Sequence, residues 1–291
     1  MCSRRTISSM SLSRRSFLTA AAMIPWAFRA GSSVRIPIGL ELYSVRDALQ
    51  KDPEATVRAV ADMGYECVEF YGPYYEWTEP QAKQMRKLLD DLGIRCNSTH
   101  NDQEYFSAEK IQHARNLNLI LGSKYLVMAS ADLGNGPDRW KALADSLNAA
   151  AEQLDASGLK VGYHNHEPEF TASSGTRPIE VLAKNTKSSV MLQLDVGTCL
   201  KAGSDPAAWI RANPGRIRSL HLKDWSSDPA KGYKVLFGEG DADWKQIFAA
   251  AESVGGSNTI CWSRRAAALE KLKLPDAACS PSVPRMPKRG M

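Results

Sequence analysis

The sequence predicts a (β/α)8 barrel, and three observations carry that prediction. From residue 36 onward, short apolar runs alternate with longer amphipathic ones in a repeat of roughly 30 residues, the length of a βα unit. The first strand-like run is followed by Leu42-Tyr43-Ser44-Val45-Arg46 rather than by a glycine-rich phosphate loop, which argues against a doubly wound sheet. Four of the five histidines stand late in strand-like runs, at the rim where such barrels hold their chemistry.

The elements follow in order. Ile38–Val45 reads as the first strand, and Asp52-Pro53-Glu54 opens the helix Pro53–Met63 with a capping acid and a first-turn proline. Cys67–Tyr71 and Ile94–His100 are the next strands, separated by the helix Glu79–Leu92. The helix Ala108–Leu121, the strand Tyr125–Ala129 and the helix Pro137–Ala156 come next. Lys160–His166, Val190–Val196 and Ile217–Asp224 are the fifth, sixth and seventh strands, interleaved with helices Arg177–Ala183 and Asp205–Ala212 and followed by Asp243–Val254. Gly64, Gly93, Gly122 and Gly158 each follow a helical run, where the left-handed cap favours glycine. Seven strands are clear and the eighth is disputed.

The first 30 residues read as a leader rather than as part of the fold. Ser13-Arg14-Arg15-Ser16-Phe17-Leu18 precedes the apolar run Thr19–Phe28, which is the pattern of a twin-arginine export signal ending near Ala30. The apolar run is too short for a stable membrane anchor. The expected location is therefore periplasmic, and the division is a leader over 1–30, a barrel over 31–256 and an atypical tail over 257–291.

The formal charge of +5 is a property of the two ends. The body between residues 31 and 256 carries 25 basic and 30 acidic side chains. A net negative body argues against a nucleic-acid partner. The six cysteines form no framework, and Cys67, Cys96 and Cys199, scattered through apolar segments, read as small buried hydrophobes. A homo-oligomer is left open.

The most informative stretch is Tyr163-His164-Asn165-His166-Glu167-Pro168-Glu169-Phe170. Side chains alternate along a strand, so His164 and His166 are expected on one face, as a metal or proton-transfer site or as a hydrogen-bonded pair. His100 closes the third strand and His221 lies late in the seventh, whereas His113 falls in a helix and reads as a packing or surface residue. Asp195 ends an apolar strand, where an unpaired carboxylate would be costly. Glu69 sits late in the second strand, and Lys223 shares a face with His221, placed to polarise a carbonyl or stabilise an oxyanion. Glu41 and Arg46 follow the first strand as weaker candidates. A mixed nitrogen and oxygen set suits Mn, Zn, Co or Fe better than Mg or Ca.

The motifs Ile38-Gly39-Leu40-Glu41-Leu42-Tyr43-Ser44, Gly64-Tyr65-Glu66-Cys67-Val68-Glu69-Phe70, Tyr163-His164-Asn165-His166, Leu194-Asp195-Val196-Gly197 and His221-Leu222-Lys223-Asp224 together resemble the sugar phosphate isomerase/epimerase family, within the xylose isomerase-like TIM barrel superfamily. The resemblance spans about residues 36 to 256. It implies one divalent metal ion held at the ends of strands five to eight, and by motif match the first three ligands are His164, Asp195 and His221. It also implies a small carbohydrate substrate, with Glu69, His166 and Lys223 as catalytic groups and Glu41, His100, Asn165 and Glu169 as substrate contacts. The chemistry implied is α-proton abstraction through a metal-stabilised enediolate, in an isomerase or epimerase. The family more often has glutamate where His164 stands, and its epimerases use paired glutamates from strands five and eight. The alternatives are therefore a dehydratase or lyase acting on a keto-sugar or inositol derivative, or a degraded barrel that only binds carbohydrate. Thr198 stands where the related endonuclease branch has a histidine, which argues against that branch.

The family's strand-eight glutamate is not found. Gly255-Gly256-Ser257-Asn258-Thr259-Ile260-Cys261-Trp262-Ser263-Arg264-Arg265 shows neither the apolar run nor the acid, so strand eight and the last helix are expected to be compromised. One permitted codon choice for Ser257 to Arg265, read one base earlier, spells Val-Glu-Tyr-Tyr-Leu-Leu-Glu-Gln-Glu-Gly. That is an apolar strand with glutamates, so a frameshift near Gly256 is the expectation, which the gene sequence would test.

Overall fold

The computed structural model describes residues 36–131, 133, 136–172, 175–254 and 259–262. The leader over 1–30 and most of the tail lie outside the described residues.

Eight parallel strands close into a barrel in sequence order. They are β1 (Ile38–Glu41), β2 (Cys67–Phe70), β3 (Arg95–Asn101), β4 (Tyr125–Met128), β5 (Lys160–His164), β6 (Met191–Asp195), β7 (Ser219–His221) and β8 (Thr259–Trp262). The helices are α1 (Arg46–Lys51), α2 (Pro53–Asp62), α3 (Glu79–Leu92), α4 (Ile111–Leu121), α5 (Pro137–Leu154), α6 (Glu167–Phe170), α7 (Pro178–Asn185), α8 (Val196–Lys201), α9 (Pro206–Ala212) and α10 (Trp244–Val254).

Helix boundaries follow local chemistry. Asp52 accepts a hydrogen bond from Ala55 N at 2.9 Å to start α2, and Asp205 accepts from Ala207 N at 2.8 Å to start α9. Gly93 and Gly122 end α3 and α4 at φ of 65° and 77°, a conformation that costs a residue with a Cβ about 1 kcal/mol or more.

The strands bury one set of side chains against the helices. Leu40, Val68, Leu126, Val161, Leu194 and Leu220 are each 2% exposed or less. Burying each contributes about 1.5–3 kcal/mol, and together they form the layer between barrel and helices. Cys67, Cys96 and Cys199 are buried free thiols, and burial pushes the first two up to about 12, so they behave as small hydrophobes.

Strand eight corrects the sequence expectation. It lies in the stretch read as atypical tail, and pairs in parallel with both β1 and β7, with Cys261 in register with Gly39 and His221. Two adjacent open edges supply the backbone partners, and Thr, Ile and Trp favour extended backbone. The barrel therefore has no open edge between β7 and β1. The absence of a carboxylate stands, because Thr259–Trp262 carries no acidic residue. Other shifts are smaller. Strand one ends at Glu41 and continues as a 3-10 turn over Leu42–Val45, and Val196 opens α8 rather than ending β6. No helix among the described residues is long and apolar enough to cross a membrane.

Candidate active site

Strand alternation decides what faces the barrel axis. In β1, β3, β5 and β7 the late inward positions are Glu41, His100, His164 and His221, four side chains from alternate strands, as one layer of a barrel interior requires. All four are 6% exposed or less. The three imidazoles cluster, with ring centroids 4.7 Å apart for His100–His164, 4.5 Å for His164–His221 and 5.3 Å for the stacked pair His100–His221. His100 Nδ1 lies 3.6 Å from Glu41 Oε1.

The even strands supply the support beneath. Glu69 from β2 and Gln193 from β6 are fully or almost fully buried. Gln193 Nε2 donates to Glu69 Oε1 at 2.8 Å and to Ser219 Oγ at 3.1 Å. Its Oε1 lies 2.6 Å from His100 Nε2 and 2.9 Å from His164 Nδ1. With the amide nitrogen committed to a carboxylate, Oε1 is the acceptor, and both imidazoles donate to it. Glu69 Oε2 lies 2.7 Å from His221 Nε2.

These contacts set the charges. Burial raises the Glu69 carboxyl, but attraction from His100 and His221 and hydrogen bonds from His221 and Gln193 hold it at about 2. Burial works against a charged His221, and the Glu69 carboxylate overrides it, raising that imidazole. Burial and the neighbouring imidazoles hold His164 well below its ordinary value. Burial holds His166 at about 4, so its ring is neutral at pH 7.

Toward the mouth, this layer opens into a cavity of about 330 Å³ lined by all four of those side chains and by Tyr71, Tyr75, Asp102, His166, Asp195 and Lys223, among others. Asp195 Oδ1 accepts from Thr198 N at 2.9 Å, capping α8, and its Oδ2 lies 3.6 Å from Lys223 Nζ. The Lys223 ammonium also sits 4.1 Å from the centre of the Tyr233 ring. The Tyr71 hydroxyl oxygen is buried with no protein hydrogen-bond partner, which suits a hydroxylated ligand.

The structure therefore brings Glu41, His100, His164, His166, Asp195, His221 and Lys223 to one cavity. Four sequence candidates stand elsewhere. Arg46 opens α1, with its guanidinium 4.9 Å from the centre of the Tyr43 ring. Glu69 is beneath the imidazoles and reaches the cavity only through them. Asn165 lies behind the wall, accepting from Asp195 N at 3.0 Å and donating to Thr198 Oγ1 at 2.9 Å, which ties the end of β5 to α8. Glu169 accepts from Tyr163 Oη at 2.7 Å and from His166 N at 3.1 Å, bracing the turn after β5. His113 is exposed on α4 and bonds Tyr75 O at 2.7 Å. Sequence reasoning passed over Gln193, two residues before Asp195 on the same face of β6, and Tyr71, which follows the end of β2 two residues after Glu69.

Asp224 anchors the segment that carries Lys223. Its carboxylate accepts from Trp225 N at 2.8 Å, Gly238 N at 2.8 Å, Gly240 N at 3.2 Å, Ala242 N at 3.4 Å and Trp244 Nε1 at 2.9 Å. Asp224→Ala leaves these donors without their acceptor and is expected to destabilise the protein by about 3 kcal/mol, measured by urea unfolding.

The donor set fits a divalent cation. One ring nitrogen from each of His100, His164 and His221 lies within 4.8 Å of the others, and each ring is backed by an acceptor, the usual arrangement around a metal-bound imidazole.

Comparison with known proteins gives the family and the fold. The family model described as xylose isomerase-like TIM barrel matches residues 57–273, more than half of the chain. An inosose dehydratase of Clostridium beijerinckii is 35% identical over 190 residues, covering 60% of this chain and 58% of that protein. The chain thus matches a little over half the length of that relative. A crystal structure of a sugar phosphate isomerase/epimerase from Parabacteroides distasonis superposes with a TM-score of 0.65 at 24% identity, covering 86% of this chain and 93% of the other. The IolI protein with a bound zinc atom superposes with a TM-score of 0.62 at 15% identity, over 79% of this chain and 89% of the other.

Proposed function

Because the chain belongs to the xylose isomerase-like TIM barrel family, we propose that it is a divalent-metal-dependent dehydratase acting on a small ketone of the inositol or keto-sugar type. The observation that carries this reading is that strands five and eight bring no carboxylate to the site. His166, Lys223 and the imidazole layer share a single cavity, and the acids that line it, Glu41, Asp102 and Asp195, come from elsewhere in the chain. An epimerase that works through paired carboxylates needs one on each side of the sugar. Here β5 ends in His164, and β8 carries no acid.

Dehydration makes smaller demands. The proton next to the carbonyl passes to a neutral base, the protonated base returns it to the hydroxyl on the next carbon, that group leaves as water, and a double bond forms between those carbons. His166, neutral at pH 7 and on the cavity wall, is the base. Lys223, held between Asp195 and Tyr233, donates to the oxygen that gains negative charge. Tyr71 takes a ring hydroxyl. The metal, when bound, supplies positive charge to the carbonyl oxygen and lowers the barrier to proton loss. The similarity to inosose dehydratases supports the same reading.

The test is an incubation of the metal-loaded protein with an inosose in D2O. Loss of water, seen as new ultraviolet absorbance of a conjugated ketone, is the expected outcome. Deuterium uptake without water loss would instead identify an isomerase or epimerase. Neither signal, with the ketone still bound, would leave a barrel that only binds carbohydrate.

A further inference from the structure

We propose that Asp102, held in place by the Tyr75 hydroxyl, selects the substrate of this site. Its carboxylate takes two adjacent ring hydroxyls on the edge of the substrate away from the reacting carbonyl. The chain then prefers a cyclic polyol ketone to a ketone hydroxylated only beside its carbonyl. This rests on the reading of the cavity given above and names what the far half of that cavity recognises.

The barrel topology divides the mouth. The strands follow one another in sequence order around the closed barrel, so β3 and β7 stand opposite each other. Lys223 lies two residues past the end of β7, and Asp102 is the first residue past the end of β3. Both line the same cavity, as do Tyr71 and Tyr75. A substrate whose carbonyl meets Lys223 therefore turns its far edge toward Asp102.

The pair is set before a ligand arrives. Tyr75 Oη donates to Asp102 Oδ2 at 2.9 Å. Burial and the Asp102 carboxylate push the phenol up to about 12, so it stays protonated and keeps donating at neutral pH. Neighbours fix its ring. The Tyr105 ring lies 4.5 Å away between centroids, Tyr74 packs edge-on at 5.8 Å, and His113 Nε2 bonds Tyr75 O at 2.7 Å. Gly72 leaves the space the phenol occupies, because a Cβ there would collide with the Tyr75 hydroxyl.

This arrangement leaves acceptor capacity over. Among the described residues, Tyr75 is the side chain that bonds the Asp102 carboxylate, and it uses Oδ2. A carboxylate oxygen has two lone pairs, so Oδ1 and the second pair of Oδ2 suit two hydroxyls on neighbouring carbons. Tyr71, whose hydroxyl is buried without a protein partner, follows β2, the strand beside β3. The β2 and β3 side of the mouth thus offers a ring of hydroxyls more partners than a bare ketone could use.

The test is calorimetric binding of two probes to the full chain with zinc present. One is an inosose. The other is a dihydroxycyclohexanone that keeps only the α- and β-hydroxyls of the reacting side. Asp102→Ala is expected to weaken inosose binding by about 10–100-fold and dihydroxycyclohexanone binding by less than about threefold. Tyr75→Phe leaves the carboxylate and removes its tether, and a loss of about 3–10-fold is expected, again for the inosose alone. Equal losses for the two ketones in Asp102→Ala, or no loss for the inosose, would overturn the proposal. If circular dichroism shows Asp102→Ala unfolded, Tyr75→Phe decides by the same criterion. Inosose bound with this selectivity and not dehydrated would overturn the dehydratase reading and leave the subsite. Inosose dehydrated by the wild type but bound equally by Asp102→Ala would overturn the subsite and leave that reading. A wild-type chain that binds no inosose would overturn both.

Discussion

Lys223→Met is expected to lower kcat for dehydration by about 10²–10³-fold with a much smaller change in KM. The reason is the position of the ammonium. It lines the cavity, 3.6 Å from the Asp195 carboxylate and 4.1 Å from the centre of the Tyr233 ring, and its side chain is only 16% exposed. A charge held in place before the reaction needs little reorganisation when a substrate oxygen becomes negative. Methionine keeps the length and apolar stem of the side chain and removes only the charge, so metal content and fold are expected to persist. Steady-state kinetics on an inosose, with metal analysis of the same sample, measures the effect. A drop below fivefold in kcat, or a loss confined to KM, would remove Lys223 from the chemistry.

Glu69→Ala carries the largest expected effect on stability. The Glu69 side chain is completely buried, and its carboxylate holds His221 at 2.7 Å and the Gln193 amide at 2.8 Å. Removing it leaves a buried imidazole and a buried amide without their acceptor. Breaking a buried pair from one side costs about 3–5 kcal/mol. For a domain of this size that corresponds to a fall in apparent Tm of about 10 °C, read by circular dichroism on heating. Glu69→Gln keeps the shape and one acceptor, and its loss should be smaller. A Tm within about 2 °C of wild type in Glu69→Ala would show that Glu69 does not hold the layer together.

Much of the site could be read along the chain because β-strands alternate with a period of two. Glu41, His164 and His221 close their strands and His100 stands one residue before the end of β3, and that position sends them to the C-terminal mouth of a parallel barrel. Alternation stops where the strand stops. His164 is the last residue of β5, and His166 is already the cap of α6, so the turn geometry decides where Asn165, His166 and Glu169 point. His166 reaches the cavity, while Asn165 and Glu169 turn behind its wall. Glu69 and Gln193 were hard to place for a different reason. Each sits one inward position below the mouth, and its role comes from side chains on strands that are 26 to 152 residues away in sequence.

Strand eight was obscured by composition. Thr259–Trp262 is short and lies next to a basic, proline-rich stretch, so no local pattern marks it. Its place comes from the unpaired backbone of β1 and β7, which only the closed barrel brings side by side.

By itself, the sequence determined the βα repeat, the helix caps, the buried thiols and the four histidines at the barrel mouth, His100, His164, His166 and His221, because each depends on residues a few positions apart. The tertiary structure decided that strand eight closes the barrel, that Gln193 and Glu69 brace the three imidazoles, and that His100 gathers with His164 and His221. Those outcomes depend on strands that are distant along the chain and meet only when the sheet curls into a cylinder.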